Sequence, residues 1–217
     1  MKKLDLKKEY QNLYSPSART IAIVRVPKLR YLMIDGRIEA GEAPGTSPEF
    51  EEAMTAMYGV AYTIRFILKL RPKEPVEYPV MPMEGLWWVE DGRFDITIKD
   101  NWLFTLLMLT PQVVTIRTFE TARDQLRQKR GDSPGLGRLR LAELGEGLCM
   151  QTMHLGPYAT EPATVERMRA FAASEGYEDL VGRAGGKHHE IYMGDPRKAK
   201  PEKLKTILRH PIRRRKA

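Results

Sequence analysis

Two stretches, Tyr31-Leu32-Met33-Ile34-Asp35-Gly36 and Thr152-Met153-His154-Leu155-Gly156-Pro157-Tyr158, decide how the rest of the chain is read. Each ends an apolar run, Ile21 to Ile34 in one case and Leu139 to Leu155 in the other, and each stops at a glycine. Such runs read as strands, and the glycine suits a sharp exit with positive φ. An amphipathic helix follows each. Thr46-Ser47-Pro48-Glu49 has the form of a capping box with proline in the first turn. Phe50, Met54, Met57, Ala61, Ile64 and Leu68 then recur at helical spacing until Pro72. The second helix opens at Thr160-Glu161-Pro162, puts Val165, Met168 and Phe171 or Ala172 on one face, and stops at Gly176.

Two further strands are predicted after each helix: Met83 to Val89 and Trp102 to Leu109, then Lys187 to Met193 and Leu204 to Arg209. The turns between them carry Asp91-Gly92 and Asp195-Pro196. The chain therefore reads strand–helix–strand–strand, twice. The expected fold class is α+β: duplicated modules with pseudo-two-fold symmetry, antiparallel sheets, helices on one side and a ligand groove along the seam. Module one covers about 20–111 and module two about 138–212, with a linker helix (Ile116 to Arg130) and a Gly/Pro loop filling 112–137. Neither half has core enough to stand alone, so the whole chain is expected to be a single domain.

Composition narrows the function. The hydrophobic fraction of 42% and charged fraction of 29% are ordinary for a globular protein. No apolar stretch approaches the ~20 residues of a membrane span, and no apolar run follows the N-terminal lysines as in a secretory signal. One cysteine, Cys149, excludes an internal disulfide framework, so a cytoplasmic location is expected. The formal charge of +8 is not spread evenly: residues 197–217 carry +9 and the rest of the chain −1. The excess sits in a basic C-terminal end, with 213–217 expected as a solvated tail that touches nucleic acid only weakly.

Most catalytic motifs are missing. Gly131 to Gly137 lacks the lysine of a phosphate loop, no G-x-S-x-G elbow is present, and Cys149 reads as a packed side chain. His188-His189-Glu190 lies on a strand, where neighbours face opposite ways, so no shared metal is expected there, and no cofactor elsewhere. Two segments remain: Met83-Glu84-Gly85-Leu86-Trp87-Trp88-Val89 and Lys187-His188-His189-Glu190-Ile191-Tyr192-Met193. Aligning their following turns sets Trp88 against Tyr192, Leu86 against Glu190 and Glu84 against His188. Glu84, Glu190, Trp88 and Tyr192 would then line the seam, with Trp87 and Ile191 facing the helices. Aromatic faces and carboxylates together attract flat organic cations. Without a cation, burial raises a carboxyl pKa toward that of a general acid or base.

The same residues resemble those of the GyrI-like small-molecule-binding proteins, which are related to gyrase-inhibitory proteins and to effector-binding domains of multidrug-responsive regulators. The likeness runs from about Ile21 to Ile212. It rests on Tyr31 to Gly36, Glu84-Gly85-Leu86-Trp87-Trp88, Met153 to Tyr158, His188 to Lys198 and Leu204 to Arg209, the His-Glu-Ile-Tyr…Asp-Pro segment being the most specific. The resemblance implies a groove along the two-fold with Glu190 facing the ligand. It also implies binding of lipophilic aromatic cations and, in the stand-alone branch, hydrolysis of the strained cyclopropane of DNA-alkylating natural products. No helix-turn-helix pattern precedes Ile21, unlike in the regulators.

On that reading Trp87, Trp88, Tyr192, Tyr158, His154 and Met33 are candidate ligand contacts. Glu190 is the candidate to orient or deprotonate water, and Glu84 or His154 to supply a proton or polarise a carbonyl. The alternatives are a non-catalytic protein that sequesters planar or cationic molecules, and an interaction module acting on gyrase or DNA.

Overall fold

The computed structural model describes residues 1–90, 94–98, 101–195 and 198–215. The Asp91-Gly92 turn, Pro196 and the last two residues of the basic end lie outside them. In chain order the elements are β1 (Lys2–Lys3), α1 (Leu6–Glu9), α2 (Gln11–Tyr14), β2 (Ala22–Val26), β3 (Leu29–Arg37), α3 (Pro48–Leu70), β4 (Val76–Glu77), β5 (Glu84–Trp88) and β6 (Leu103–Leu109). There follow α4 (Ile116–Arg130), α5 (Pro134–Arg138), β7 (Arg140–Leu144), β8 (Gly147–Leu155), α6 (Glu161–Ser174), β9 (Tyr177–Asp179), β10 (His188–Tyr192) and β11 (Lys205–Arg214). The strand–helix–strand–strand pattern is thus present twice, in a mixed α+β fold built on one large antiparallel sheet.

Each long apolar run is two strands rather than one. The first breaks around Pro27 and the second at Gly145-Glu146, and each break moves the chain to a different place in the sheet. The order is β2-β8-β11-β10-β5-β6-β3-β7, with β9 beside the end of β11. Exchanging each strand for its counterpart in the other module (β2 for β7, β3 for β8, β5 for β10, β6 for β11) returns the same order reversed. The leading strand of each module therefore closes the outer edge of the other. The modules meet at β5 and β10, paired antiparallel with His188 opposite Trp87 and Glu190 opposite Gly85.

Helix α3 packs on β3 and β6, and α6 on β8 and β9. Phe50 of α3 touches both Trp87 and Phe104, while Val165, Met168 and Ala172 of α6 bury against Met150, Leu208 and Ile212. Trp87 and Phe104 form a directly opposed pair, and alternation from them puts the α6-facing residues on the same side of the sheet. Both long helices therefore cover one face and leave the central strands β5 and β10 between them. The opposite face is covered by the N-terminal α1–α2 segment, whose Leu6, Leu13 and Tyr14 are buried.

Local chemistry accounts for several departures from expectation. Ser47, not Thr46, is the N-cap of α3, because the Thr46 hydroxyl is used within the preceding turn on Ala43. Gly156 has the positive φ expected of a strand exit, at 122°, but Gly36 continues β3, and a side chain there would collide with the Phe104 ring opposite. The loop after α4 contains the short helix α5, with Ser133 accepting from Leu136 N–H as its cap. Strand β11 runs through Pro211 to Arg214, pairing Arg213 and Arg214 with β9. Most of the basic end is therefore part of the sheet and not a free tail.

Candidate functional site

Between α3 and α6 the helix-side face of the sheet is made by β10 and β5. His188, Glu190 and Tyr192 alternate on β10, and across from them stand Trp87 and Gly85. Trp87 lies flat against Phe50 with ring centroids 5.7 Å apart, and its indole N–H donates to the Tyr192 hydroxyl over 3.1 Å. Gly85 makes room for that bond: a Cβ on it would sit 2.7 Å from Trp87 Nε1 and 3.2 Å from the Tyr192 oxygen. The Tyr192 hydroxyl in turn hydrogen-bonds Glu190, and burial together with that carboxylate pushes its pKa well up.

The other wall comes from the start of α6. Tyr158 sits edge-on to Tyr192, centroids 6.1 Å apart. Burial, with the Glu190, Glu161 and Asp195 carboxylates beside it, pushes its hydroxyl up to about 12. Glu161, first residue of α6, is buried where the helix N-terminus favours a carboxylate. At the far end Phe94 stacks on His188 (5.5 Å, 21°) and packs on Trp102, which meets Trp87, so Phe94 roofs this end.

Glu190, only 6% exposed, leads into a line of buried hydrogen bonds. His188 Nε2 is 3.0 Å from Glu190 Oε1, His188 Nδ1 is 2.6 Å from His210 Nε2, and His210 Nδ1 is 2.7 Å from Asp179 Oδ2. Burial pushes His188 below its ordinary pKa despite the neighbouring carboxylate. For Asp179 burial acts upward, but His210, the Val181 N–H and Arg169 together outweigh it and its pKa falls. Glu161, His188 and Glu190 bring one donor atom each within 4.8 Å of one another. Both His188 nitrogens are engaged with neighbouring side chains, so the cluster is read as a hydrogen-bonded one.

The register corrects the expected site in three places. Glu84, Leu86 and Trp88 share the face with His189 and Ile191, because Ile191 pairs with Glu84 and His189 with Leu86. Glu84 is therefore on the opposite side of the sheet from Glu190. It accepts from the Tyr14 hydroxyl at 2.5 Å and meets His189 Nε2 at 3.0 Å. His189 Nδ1 meets Glu146, which Arg209 also binds, and Arg209 continues to Gln151 and the Leu13 carbonyl. Two carboxylates, one imidazole and one guanidinium make this a closed, buried ionic network. Trp88 lies on that same face under the Lys187 ammonium, 3.2 Å from its ring centroid. Met33, paired with Leu107 opposite Glu84, also faces away from Glu190.

Turns served as a poor ruler because they sit within long connections, 89–102 and 193–204, and a slip of one residue inverts every side chain. Trp87 does face the helices, but so do Glu190 and Tyr192, whereas Ile191 does not. His154 is on the helix side too. Its ring is held by the Thr164 hydroxyl at 2.9 Å and the Pro157 carbonyl at 3.2 Å, and burial lowers its pKa. Sequence reasoning missed Glu161, Asp179 and His210. Only the pairing of β11 with β10 and β9 reveals the last two.

The comparisons with known proteins agree with the fold. A family model described as a GyrI-like small molecule binding domain matches residues 19–213. Three solved structures from Listeria innocua share the whole fold. An uncharacterized conserved protein is 38% identical with a TM-score of 0.86, covering 97% of this chain and 100% of its own. Two proteins described as hydrolases are 37% and 35% identical, with TM-scores of 0.85 and 0.83, covering 98% and 97% of this chain and 100% of their own. No curated protein matches the sequence. Among the described residues no helix is long and apolar enough to cross a membrane.

Proposed function

The chain belongs to the GyrI-like small-molecule-binding family, and from that premise we propose that it binds flat, lipophilic, often cationic molecules over β5 and β10 and hydrolyses cyclopropane-bearing electrophiles there. The observation that carries the reading is Glu190: a buried carboxyl group set among Tyr192, Tyr158 and His188 on the sheet face between α3 and α6. Ring faces and carboxylates suit an aromatic cation. The hydrolase description of two neighbours at 35% and 37% identity favours catalysis over simple sequestration.

In this reading Tyr158 and the wall rings hold the electrophile flat. Glu190 as carboxylate takes a proton from water as the water oxygen bonds to the cyclopropyl carbon. The strained C–C bond breaks, and its electrons pass to the conjugated carbonyl oxygen. The Tyr158 hydroxyl, which keeps its proton at neutral pH, donates a hydrogen bond to that oxygen, and solvent at the groove mouth protonates it. Positioning and ring strain carry most of the rate, since effective molarity alone is worth several kcal/mol.

The test uses a cyclopropane-bearing alkylator and a planar aromatic cation, ethidium, side by side. Native protein is expected to give ring-opened, hydrated product by mass spectrometry. Glu190→Gln is expected to lose at least about 100-fold in turnover, the usual scale of general-base loss, while ethidium affinity changes little. Unchanged turnover in Glu190→Gln would remove Glu190 from the mechanism. A native protein that binds ethidium yet yields no product would leave sequestration as the function.

A further inference from the structure

The line from Glu190 to Asp179 does more than position Glu190. His188, His210 and Glu190 are buried, at 1%, 0% and 6% exposed, and Asp179 at the end of the line is half-buried, its side chain 10% exposed. Every link is 3.0 Å or shorter. Such contacts are tolerable only if each holds one proton between its two heavy atoms. Asp179 fixes the direction. Its carboxylate accepts the Val181 N–H at 3.0 Å and faces Arg169 at 3.7 Å, so it receives the His210 Nδ1–H. Where His210 carries that proton alone, it offers a lone pair at Nε2 and receives the His188 Nδ1–H. Neutral His188 offers a lone pair at Nε2, which leaves Glu190 as the donor. Each imidazole is thus set to accept a proton at Nε2 and release one at Nδ1, always away from the groove.

We propose that His188, His210 and Asp179 form a proton wire that passes the proton of Glu190 across β10, β11 and β9 to solvent, Asp179 holding it only in transit, so that Glu190 becomes a base without exchanging protons through an occupied groove. The inference rests on the role given to Glu190 above. In the hop, the Glu190 proton goes to His188 Nε2, the His188 Nδ1 proton to His210 Nε2, and the His210 Nδ1 proton to Asp179 Oδ2. No charge is created inside the wire: Glu190 ends as carboxylate and Asp179 as carboxylic acid. Glu190 then takes a proton from the attacking water, and Asp179 releases its own to solvent beside Arg169. The imidazoles exchange their N–H positions between turnovers. The groups that face this path are Tyr192, Tyr158 and Glu161 at the groove end and Arg169 at the edge. His210 and Asp179 are positioning residues, since neither reaches the groove.

The experiment compares native protein with His210→Phe, which keeps a ring but no nitrogen, and with Asp179→Asn, which keeps the shape of the last acceptor. In ¹⁵N-histidine spectra of ligand-free native protein, His188 and His210 are expected as Nδ1–H tautomers. In His210→Phe, His188 is expected to switch to the Nε2–H tautomer, which has no lone pair at Nε2 to take the Glu190 proton. With a cyclopropane-bearing alkylator, both variants are expected to lose about ten-fold or more in kcat, part of the general-base contribution, with KM within two-fold of native. A His188 tautomer that ignores His210→Phe overturns the wire, and so does full kcat in both folded variants. If native protein hydrolyses nothing, the reading of Glu190 as catalyst fails instead, and the tautomer result alone decides whether the wire exists. If His210→Phe does not fold, the kcat of Asp179→Asn decides.

Discussion

Gly85 shows how closely the groove floor is built at single residues. It stands directly opposite Glu190, and its missing side chain is what lets the Trp87 indole and Tyr192 hydroxyl meet. In Gly85→Ala the new methyl would press on both partners, which are held by Phe50 and by the sheet. Overpacking of this kind typically costs 1–3 kcal/mol. Urea denaturation is expected to show a loss on the order of 1–3 kcal/mol, and fluorescence titration a weaker ethidium complex. A stable variant with native affinity would mean that the indole–phenol bond does not shape the groove. The residues themselves were visible in the sequence as an aromatic and acidic cluster. The pairing of Gly85 with Glu190 was not, because nothing short of the β5–β10 register determines it.

At the scale of elements, the helices were the legible part. Apolar residues at 3.6-residue spacing mark α3, α4 and α6 without reference to the rest of the fold, with prolines at the start of α3 and α6. Strand faces were not, since alternation has a period of two and the long connections hide its phase. That is why Glu84 was expected beside Glu190. Its true partners, Tyr14 and His189, arrive from the N-terminal helices and the neighbouring strand.

The network beneath the sheet has a definite pH signature. Burial works against charge on His189, but the Glu146 and Glu84 carboxylates outweigh it and raise its pKa from 6.5 to about 9. A raised pKa stabilises the fold fully below 6.5, and that stabilisation is lost as pH climbs through about 9. Burial likewise acts upward on Glu146, but His189 and Arg209 bring it from 4.5 down to about 2. Its contribution is present above 4.5 and lost as pH falls through about 2. Unfolding free energy measured against pH is expected to decline on the alkaline side between these His189 values. In His189→Gln that alkaline decline should shrink. A wild-type curve flat from neutrality to pH 9 would show that His189 is not charged in the fold.

Over the whole molecule, the sheet order makes the two modules mutually dependent. Strand β2 belongs in sequence to the first module yet pairs along β8, and β7 pairs along β3. Fragments covering 1–111 and 112–217, expressed apart, are each expected to stay unfolded by circular dichroism and near-UV signals. Mixed, they should recover the native spectrum. Independent folding of either fragment would show that the exchanged strands are dispensable. The duplication was readable in the sequence from repeated motifs. The exchange was not, since the break at Pro27 resembles an ordinary interruption of one strand.

That trade of leading strands is what two half-length protomers do when they swap domains to make a dimer. Here α4 and α5 tether the two partners covalently, so an association that would weaken on dilution becomes intramolecular and independent of concentration. A binding surface shared by both halves can then diverge on each side separately. One side supplies the indole wall and the other the acid and its histidines, which no symmetric pair of identical subunits could do.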